Sequence, residues 1–531
     1  MRCRLPLLLC CSLAACSASG PEEQPAAHAS TRAAQLLAPS LRRLSVAELS
    51  AAASSLVGKD VDLAKALPAD ARQHDFSRSL TQSVDALTLK QLVAATRDVA
   101  ERLELTSPTL PACARDALAD DQACQAQLLT SLATEAFRRA PNEGELSSLH
   151  AIFEIGAAGA SFRDGAVLVV RALLGSPELL YETALGLTTD GARVSLNGDE
   201  LASQLSWLVG GAPPDAELRR AASEGELRLG PERRRQALRL LQNSAARSLY
   251  RRFVEEWLGL TRLRSLAKAS SVAPDFMELR EPMLHETESV IDDAFVTTGG
   301  AFQQLFAGGY SIVPSELSGL YGIAATGADQ RVSLGKLGRV GLLQQASFLA
   351  TFAHEDESAP VLRGKAVLER LLCRQLPKPG ELGIELVLPP PNPDATTRER
   401  FALHAQQPRC AACHELLDGV GFTFENFDAV GRGRASEAGK PVDTTGHLLL
   451  DGQDLPLRDS AELSLALAGS QELAECAARQ VVRFAAGLDA TAVEDDFVRA
   501  TRSLAEPERG SIVGLFLAFV EGDWFAWRAR P

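Results

Sequence analysis

Cys410, Cys413 and His414 stand within five residues of one another, at the head of the stretch "CAACHELLDGVGFTFENFDAVGRGR" (410–434), in a chain with only 10 cysteines and 8 histidines. On a helix, positions i, i+3 and i+4 share a face, so two thiols and an imidazole spaced this way can address one planar ligand together. The chemistry that needs this set is covalent haem c: two thioether bonds to the porphyrin vinyl groups, with the imidazole as proximal ligand to the iron. The expected cofactor is therefore haem c on Cys410 and Cys413, with His414 as an iron ligand. Two other metal or redox uses fit less well. A structural zinc site wants four ligands, and no second Cys or His pair of comparable spacing is present. A thioredoxin-like pair wants Cys-x-x-Cys at a helix start after a strand, and the residues before Cys410 do not suggest one. A plain disulfide between i and i+3 stays open.

The sixth iron position separates a carrier from an enzyme. The methionines are Met1, Met277 and Met283, all before the motif, so an ordinary downstream Met ligand is not expected. His354, in a loop before "SAPVLRGK", is the preferred distal ligand and metal-binding candidate, followed by His447 and then an open site. His404, six residues before Cys410, is expected on the proximal side. For each of these histidines a solvated or capping role is the alternative. Arg432 and Arg434 are expected at the cofactor, as guanidinium forks for haem propionates, with Arg409 and Arg363 as further candidates. Phe422, Phe424 and Phe427 could line a haem edge or be plain core. Glu425 and Asp428 read as structural. "HEDES" at 354 lacks the second His of a metalloprotease and "GYSIV" at 309 lacks the closing Gly of a nucleophile elbow. No phosphate loop or dinucleotide fingerprint appears.

The elements that position these residues begin with an export segment. Met1–Arg4 is short and basic, Leu5–Leu13 apolar, and Leu13-Ala14-Ala15-Cys16 resembles a bacterial lipobox, which implies cleavage after residue 15 and diacylglycerol on Cys16. The apolar run is too short to stay as a spanning helix. An ordinary secretory signal cleaved nearby is the alternative, and both readings export the chain. Ser17, rather than Asp, follows the cysteine, so the outer membrane or cell surface is the expected location, with the periplasmic side also possible. Export makes unpaired thiols short-lived. With Cys410 and Cys413 on a cofactor, Cys113 and Cys124 are expected to pair as near neighbours, leaving Cys373 with Cys476; four cysteines allow three connectivities.

Residues 16–38 are rich in Ala, Pro, Ser and Glu and read as a flexible tether. Beyond them helical periodicity dominates. "LKQLVAATRDVAERLEL" puts Leu89, Leu92, Val93, Val99 and Leu103 on roughly one face, and "RRRQALRLLQNSAARSLYRRFVEEWLGL" repeats the pattern. "LVLPPPNPDATT" (386–397) reads as an extended polyproline connector. The fold class is mainly α. At 531 residues and 46% hydrophobic the chain can bury several cores. Lys+Arg 54 against Asp+Glu 68 gives a net charge of -14 without a concentrated basic face, which argues against nucleic acid as a partner.

The stretch 409–434 resembles the signature of planctomycete-type cytochrome-like proteins, large secreted multi-module chains whose pattern runs Cys-x-x-Cys-His, Asp-Pro-x-Gly-Phe, Glu-Asn-Phe-Asp, then Gly and Arg. "RVGLLQQASFLATFAHEDESAPVLRGKAVLERLLC" and "RERFALHAQQPRC" resemble the first part of the same module. "LSWLVGGAPPDAEL" and "FVEEWLGL" resemble its central helical module, "ATEAFRRAPNEGE" the small one before it, "LRRLSVAEL" the N-terminal one and "CAARQVVRFAAGL" the C-terminal one. The resemblance implies packed helical modules at 39–106, 107–190, 191–330 and 451–531, around a cytochrome c-like haem module at 331–450, after a signal at 1–15 and the tether. It supplies no substrate. Two departures stand out: Asp418-Gly419 replaces Asp-Pro, and His447 is not characteristic of the pattern. The function expected is electron transfer at the cell envelope by a lipid-anchored monohaem protein with a redox partner protein. The alternatives are a peroxidase- or oxygenase-like haem enzyme with an open distal site, and a haem-free surface scaffold that binds a glycan or protein.

Overall fold

The helices start where short polar side chains can cap them. Ser45 with Glu48, Asn142 with Glu145, Ser161 with Asp164 and Asn197 with Glu200 each form a reciprocal capping box, satisfying orphan donors at the first turn. They open the helices Val46–Val57, Glu143–Ala157, Phe162–Leu174 and Gly198–Leu205. The computed structural model describes residues 35–118, 120–158, 161–376, 392–405 and 408–530, and the side chains of 402–413 lie outside the description. The signal, Cys16 and nearly all of the tether fall outside the described residues, as does 386–391 of the Pro-rich connector.

The fold is mainly α. Its strands form five small antiparallel sheets among the described residues, most of them two-stranded. Two of these close long stretches of chain: Ser40–Arg43 pairs with Tyr181–Ala184, and Trp527–Ala529 pairs with Arg193–Ser195. The apolar interior separates into two cores. One is built from residues between Leu44 and Leu180, joined by Trp207; the other takes in the central helices, the segment carrying the Cys-x-x-Cys-His motif and the C-terminal helices. Among the described residues no helix is long and apolar enough to cross a membrane.

Disulfides Cys113–Cys124 and Cys373–Cys476 are both present, so the near-neighbour pairing holds. The helix Ala86–Ala100 corrects one detail of the periodicity: it buries Thr88, Leu92, Ala95, Thr96 and Val99, while Leu89 and Val93 are 52% and 51% exposed. Small Ala95 and half-polar Thr96 let this face approach its neighbours closely. The bulkier Leu89 and Val93, with Ile155, instead line an apolar surface groove.

Candidate functional site

Residues 408–421 form one helix, so positions 410, 413 and 414 do share a helical face. Its C-terminal half is seated by close backbone crossings. The helix Pro360–Ala366 lies so near that a Cβ on Gly364 would strike the carbonyl oxygen of Leu417, and one on Gly421 that of Pro360. The strand Gly446–Leu450 lies against the same helix at Gly419.

His414 is held from its own helix. Both carboxylate oxygens of Asp418, one turn on, are 3.2 Å from His414 Nδ1, and the two side chains are only 13% and 12% exposed. Phe401, buried on the helix Thr397–Ala405, lies 6.5 Å from the imidazole between ring centroids. A histidine that gives its Nδ1–H to a carboxylate carries its lone pair on Nε2, the arrangement a metal-ligating imidazole needs. The donor set of the motif thus fits a porphyrin iron at the one member whose surroundings are described. The side chains of Cys410, Cys413, His404 and Arg409 lie outside the described residues.

The remaining candidates divide by position. His354 sits in a short hairpin closed by the bridge Ala353–Ser358, its carbonyl accepting from Lys268 Nζ at 2.6 Å. Burial pulls the Lys268 ammonium down to about 8. The hairpin reaches the site through Glu357, paired with Arg400 next to Phe401 at 2.5 Å, and through Ser358, which donates to Glu425 at 2.9 Å. His447 lies against Gly419: a Cβ there would be 2.9 Å from its Cε1. Five residues at about 100° each turn that face by about 140° from His414. With Glu415 and Leu416 it lines a cavity of about 240 Å³.

The arginines have protein partners. Arg363, fully buried, donates to the carbonyls of Phe424, Phe427, Leu349 and Asp428 and so knots the chain after the motif helix. Arg434 donates to Glu425 Oε2 at 2.7 Å, to Ser358 and to Glu437. Arg432 donates to the carbonyl of Val272 at 3.0 Å and faces Asp428 at 3.7 Å. Burial raises the Glu425 carboxyl against the pull of Arg363 and Arg434. Phe424 and Phe427 are core residues, Phe427 lying beneath the Arg339 guanidinium, and Phe422 lies beneath Arg398 at 4.3 Å. Among the described residues there is no cluster of three or more His, Cys, Asp and Glu fit to hold a metal ion.

Sequence reasoning passed over Asp418 as a partner of His414, although the i, i+4 spacing was there to read. It also missed Phe401 and Arg400, whose relation to the motif depends on how two helices fold back.

The fold and site are those of a multi-module helical protein whose motif helix packs Leu417 and Val420 into the larger core. Four family models match in chain order: PSD3, protein of unknown function (DUF1587), over residues 42–103; PSD5 (DUF1595) over 124–183; PSD4 (DUF1592) over 196–323; and PSCyt3 (DUF1588) over 339–437. Their succession supports a multi-module family, and the last match contains the motif helix. No curated protein and no solved structure matches the chain.

Proposed function

We propose that this chain is an exported, lipid-anchored, monohaem c-type cytochrome-like protein that transfers electrons at the cell envelope. The observation that carries the reading is the helix 408–421, with Cys410, Cys413 and His414 on one face and the His414 ring oriented by Asp418. The name of the PSCyt3 model over residues 339–437 agrees with it. Cys410 and Cys413 would hold the haem through thioethers, and His414 would ligate its iron; when bound, the haem supplies a one-electron couple. Phe401 and the packed helices exclude water from one side of the imidazole. Cys16 would carry the lipid and place the protein at the outer membrane or cell surface, and a redox partner protein would dock on the helical remainder. The test is a pyridine haemochrome assay on protein from a host competent for haem c maturation. Wild type is expected to show the band of a doubly thioether-linked haem and Cys413→Ala a displaced or missing one. A colourless wild type would overturn the reading in favour of a haem-free scaffold.

A second reading, a haem enzyme with an open distal site, is favoured by one fact: every methionine of the sequence precedes the motif, so the ordinary downstream Met ligand is not there to close the sixth position. A high-spin optical spectrum that responds to carbon monoxide would select the enzyme, and a low-spin spectrum indifferent to it the carrier.

A further inference from the structure

We infer that Asp418 is a positioning residue that sets the electronic character of the iron ligand: its carboxylate accepts the Nδ1–H of His414 and holds the haem at a lower reduction potential than a neutral acceptor would. This rests on the haem reading above. The two side chains are one helical turn apart, both oxygens lie 3.2 Å from Nδ1, and both groups are mostly withdrawn from water, so the carboxylate favours the tautomer that carries its proton on Nδ1.

The acceptor is a carboxylate that presents both oxygens to the ring nitrogen. Among the described residues His414 is the hydrogen-bond and ion partner of Asp418. The nearby cation Arg398 is drawn off to Asp443, donating to its carbonyl at 3.1 Å and to that of Thr445, with its plane over Phe422. Among the described residues no guanidinium hydrogen-bonds to the Asp418 carboxylate, and Arg398 acts on it only through space. A charged acceptor makes a stronger bond than a carbonyl or amide and pushes electron density through the imidazole to the nitrogen that ligates iron. Ferric iron, the more positive state, gains more from that donation than ferrous iron. Gly419 and the strand beside it keep Asp418 in place: a larger residue at 419 would collide with the carbonyl of His447, so the turn after Asp418 is pinned by packing.

The experiment compares wild type and Asp418→Asn as full-length protein. Asn keeps the shape and a neutral acceptor oxygen. Haem content is measured first by pyridine haemochrome, then the midpoint potential by spectroelectrochemical titration and the iron–histidine stretch of the ferrous form by resonance Raman. Equal haem content is expected, with the ferric-over-ferrous preference weakened at least tenfold, a rise of 59 mV for a one-electron couple, and a lower stretching frequency. Intact haem with unchanged potential and stretch would overturn the inference and leave the haem reading standing. Wild type without haem would overturn both. If the Asn variant does not accumulate, Asp418→Ser, another neutral acceptor, gives the same readouts with the same two outcomes.

Discussion

Buried carboxylates meet opposite surroundings in the two halves of this molecule. Where the smaller core meets the strand pair Ser40–Arg43 and Tyr181–Ala184, Glu48 and Glu182 are interleaved with Arg42 and Arg78: Arg42 reaches Glu48 and Glu182 at 2.7 Å each, and Arg78 reaches them at 2.7 and 3.0 Å. Burial opposes ionisation of both acids, yet the two guanidiniums overcome it and hold both carboxyls below their ordinary range. In the larger core Glu286 receives only hydroxyls, from Ser311 at 2.6 Å and Tyr321 at 2.7 Å, and burial pushes it up to about 7. Glu255 is likewise raised to about 7, by burial and then by the charge of Glu288. The same residue type is a fixed anion in one half and a proton acceptor near neutrality in the other. At Glu286 the fold delivers no guanidinium to the carboxylate, whereas Glu255 faces Arg264 at 3.5 Å and Glu425 faces Arg434 at 2.7 Å and both stay raised, so a cation lowers a buried carboxyl only where its pull exceeds the cost of burial.

The staples differ in reach as well, and removing them should have the largest effect. Cys373 and Cys476 are 103 residues apart, and Cys113 and Cys124 only 11. A cross-link removes more freedom from the unfolded chain when its loop is longer, about 4.7 kcal/mol for a loop near 100 residues against about 3 kcal/mol for one near 15. Replacing Cys373 and Cys476 together by Ala should cost about 4–5 kcal/mol in denaturant unfolding and expose the C-terminal helices to protease first. Replacing Cys113 and Cys124 should cost less and be felt in the smaller core. Equal losses would mean that native packing, not loop closure, decides what each bridge contributes.

Breaking the ionic arrangement comes next. Arg42→Met leaves one guanidinium, Arg78, facing two buried carboxylates, and stranding a buried charge costs about 3–5 kcal/mol. Adding Glu182→Gln restores one cation to one anion and should recover much of that loss. A single substitution costing under about 1 kcal/mol, measured by the same unfolding curve, would show that water reaches these acids and that the contrast between the halves is shallow. Since Glu48 and Glu182 have lowered pKa values, their contribution is present above the unfolded carboxyl range near 4.5 and lost as pH falls below it.

How far the sequence disclosed this can be told residue by residue. The helical class was legible because apolar spacing repeats near 3.6 residues, and the two disulfides followed from proximity and elimination. The shared face of Cys410, Cys413 and His414 was legible because it is local to one helix. The buried face of Ala86–Ala100 was not, because Ala95 and Thr96 pack by smallness, a property that hydrophobic patterns do not register. Nor were the partners of Arg434 and Arg363, which hold segments up to 76 residues away or carbonyls whose position only the fold defines. The division into two cores mostly follows the chain, the smaller taking residues between Leu44 and Leu180; what the sequence hid is the exception, Trp207, which joins the smaller core from the central helices through contacts far apart in the chain.

The smallest of these effects tests the proton acceptor itself. Glu286 has a folded pKa of about 7 against 4.5 in the unfolded chain, so between those values the folded state binds more protons. Stability therefore falls as pH rises through this window and levels off above 7, by about 3 kcal/mol at 1.36 kcal/mol per unit. Glu286→Gln cannot ionise, and its curve of unfolding free energy against pH should be flatter over 4.5 to 7 and lie above wild type at pH 8. Glu255 remains in the variant and keeps its own share of the slope, so the flattening should be partial. An unchanged slope would mean that Arg339, whose guanidinium lies 4.6 Å over the Tyr321 ring, compensates the Glu286 charge after all. The two halves of the molecule would then differ only in how far away the cation stands.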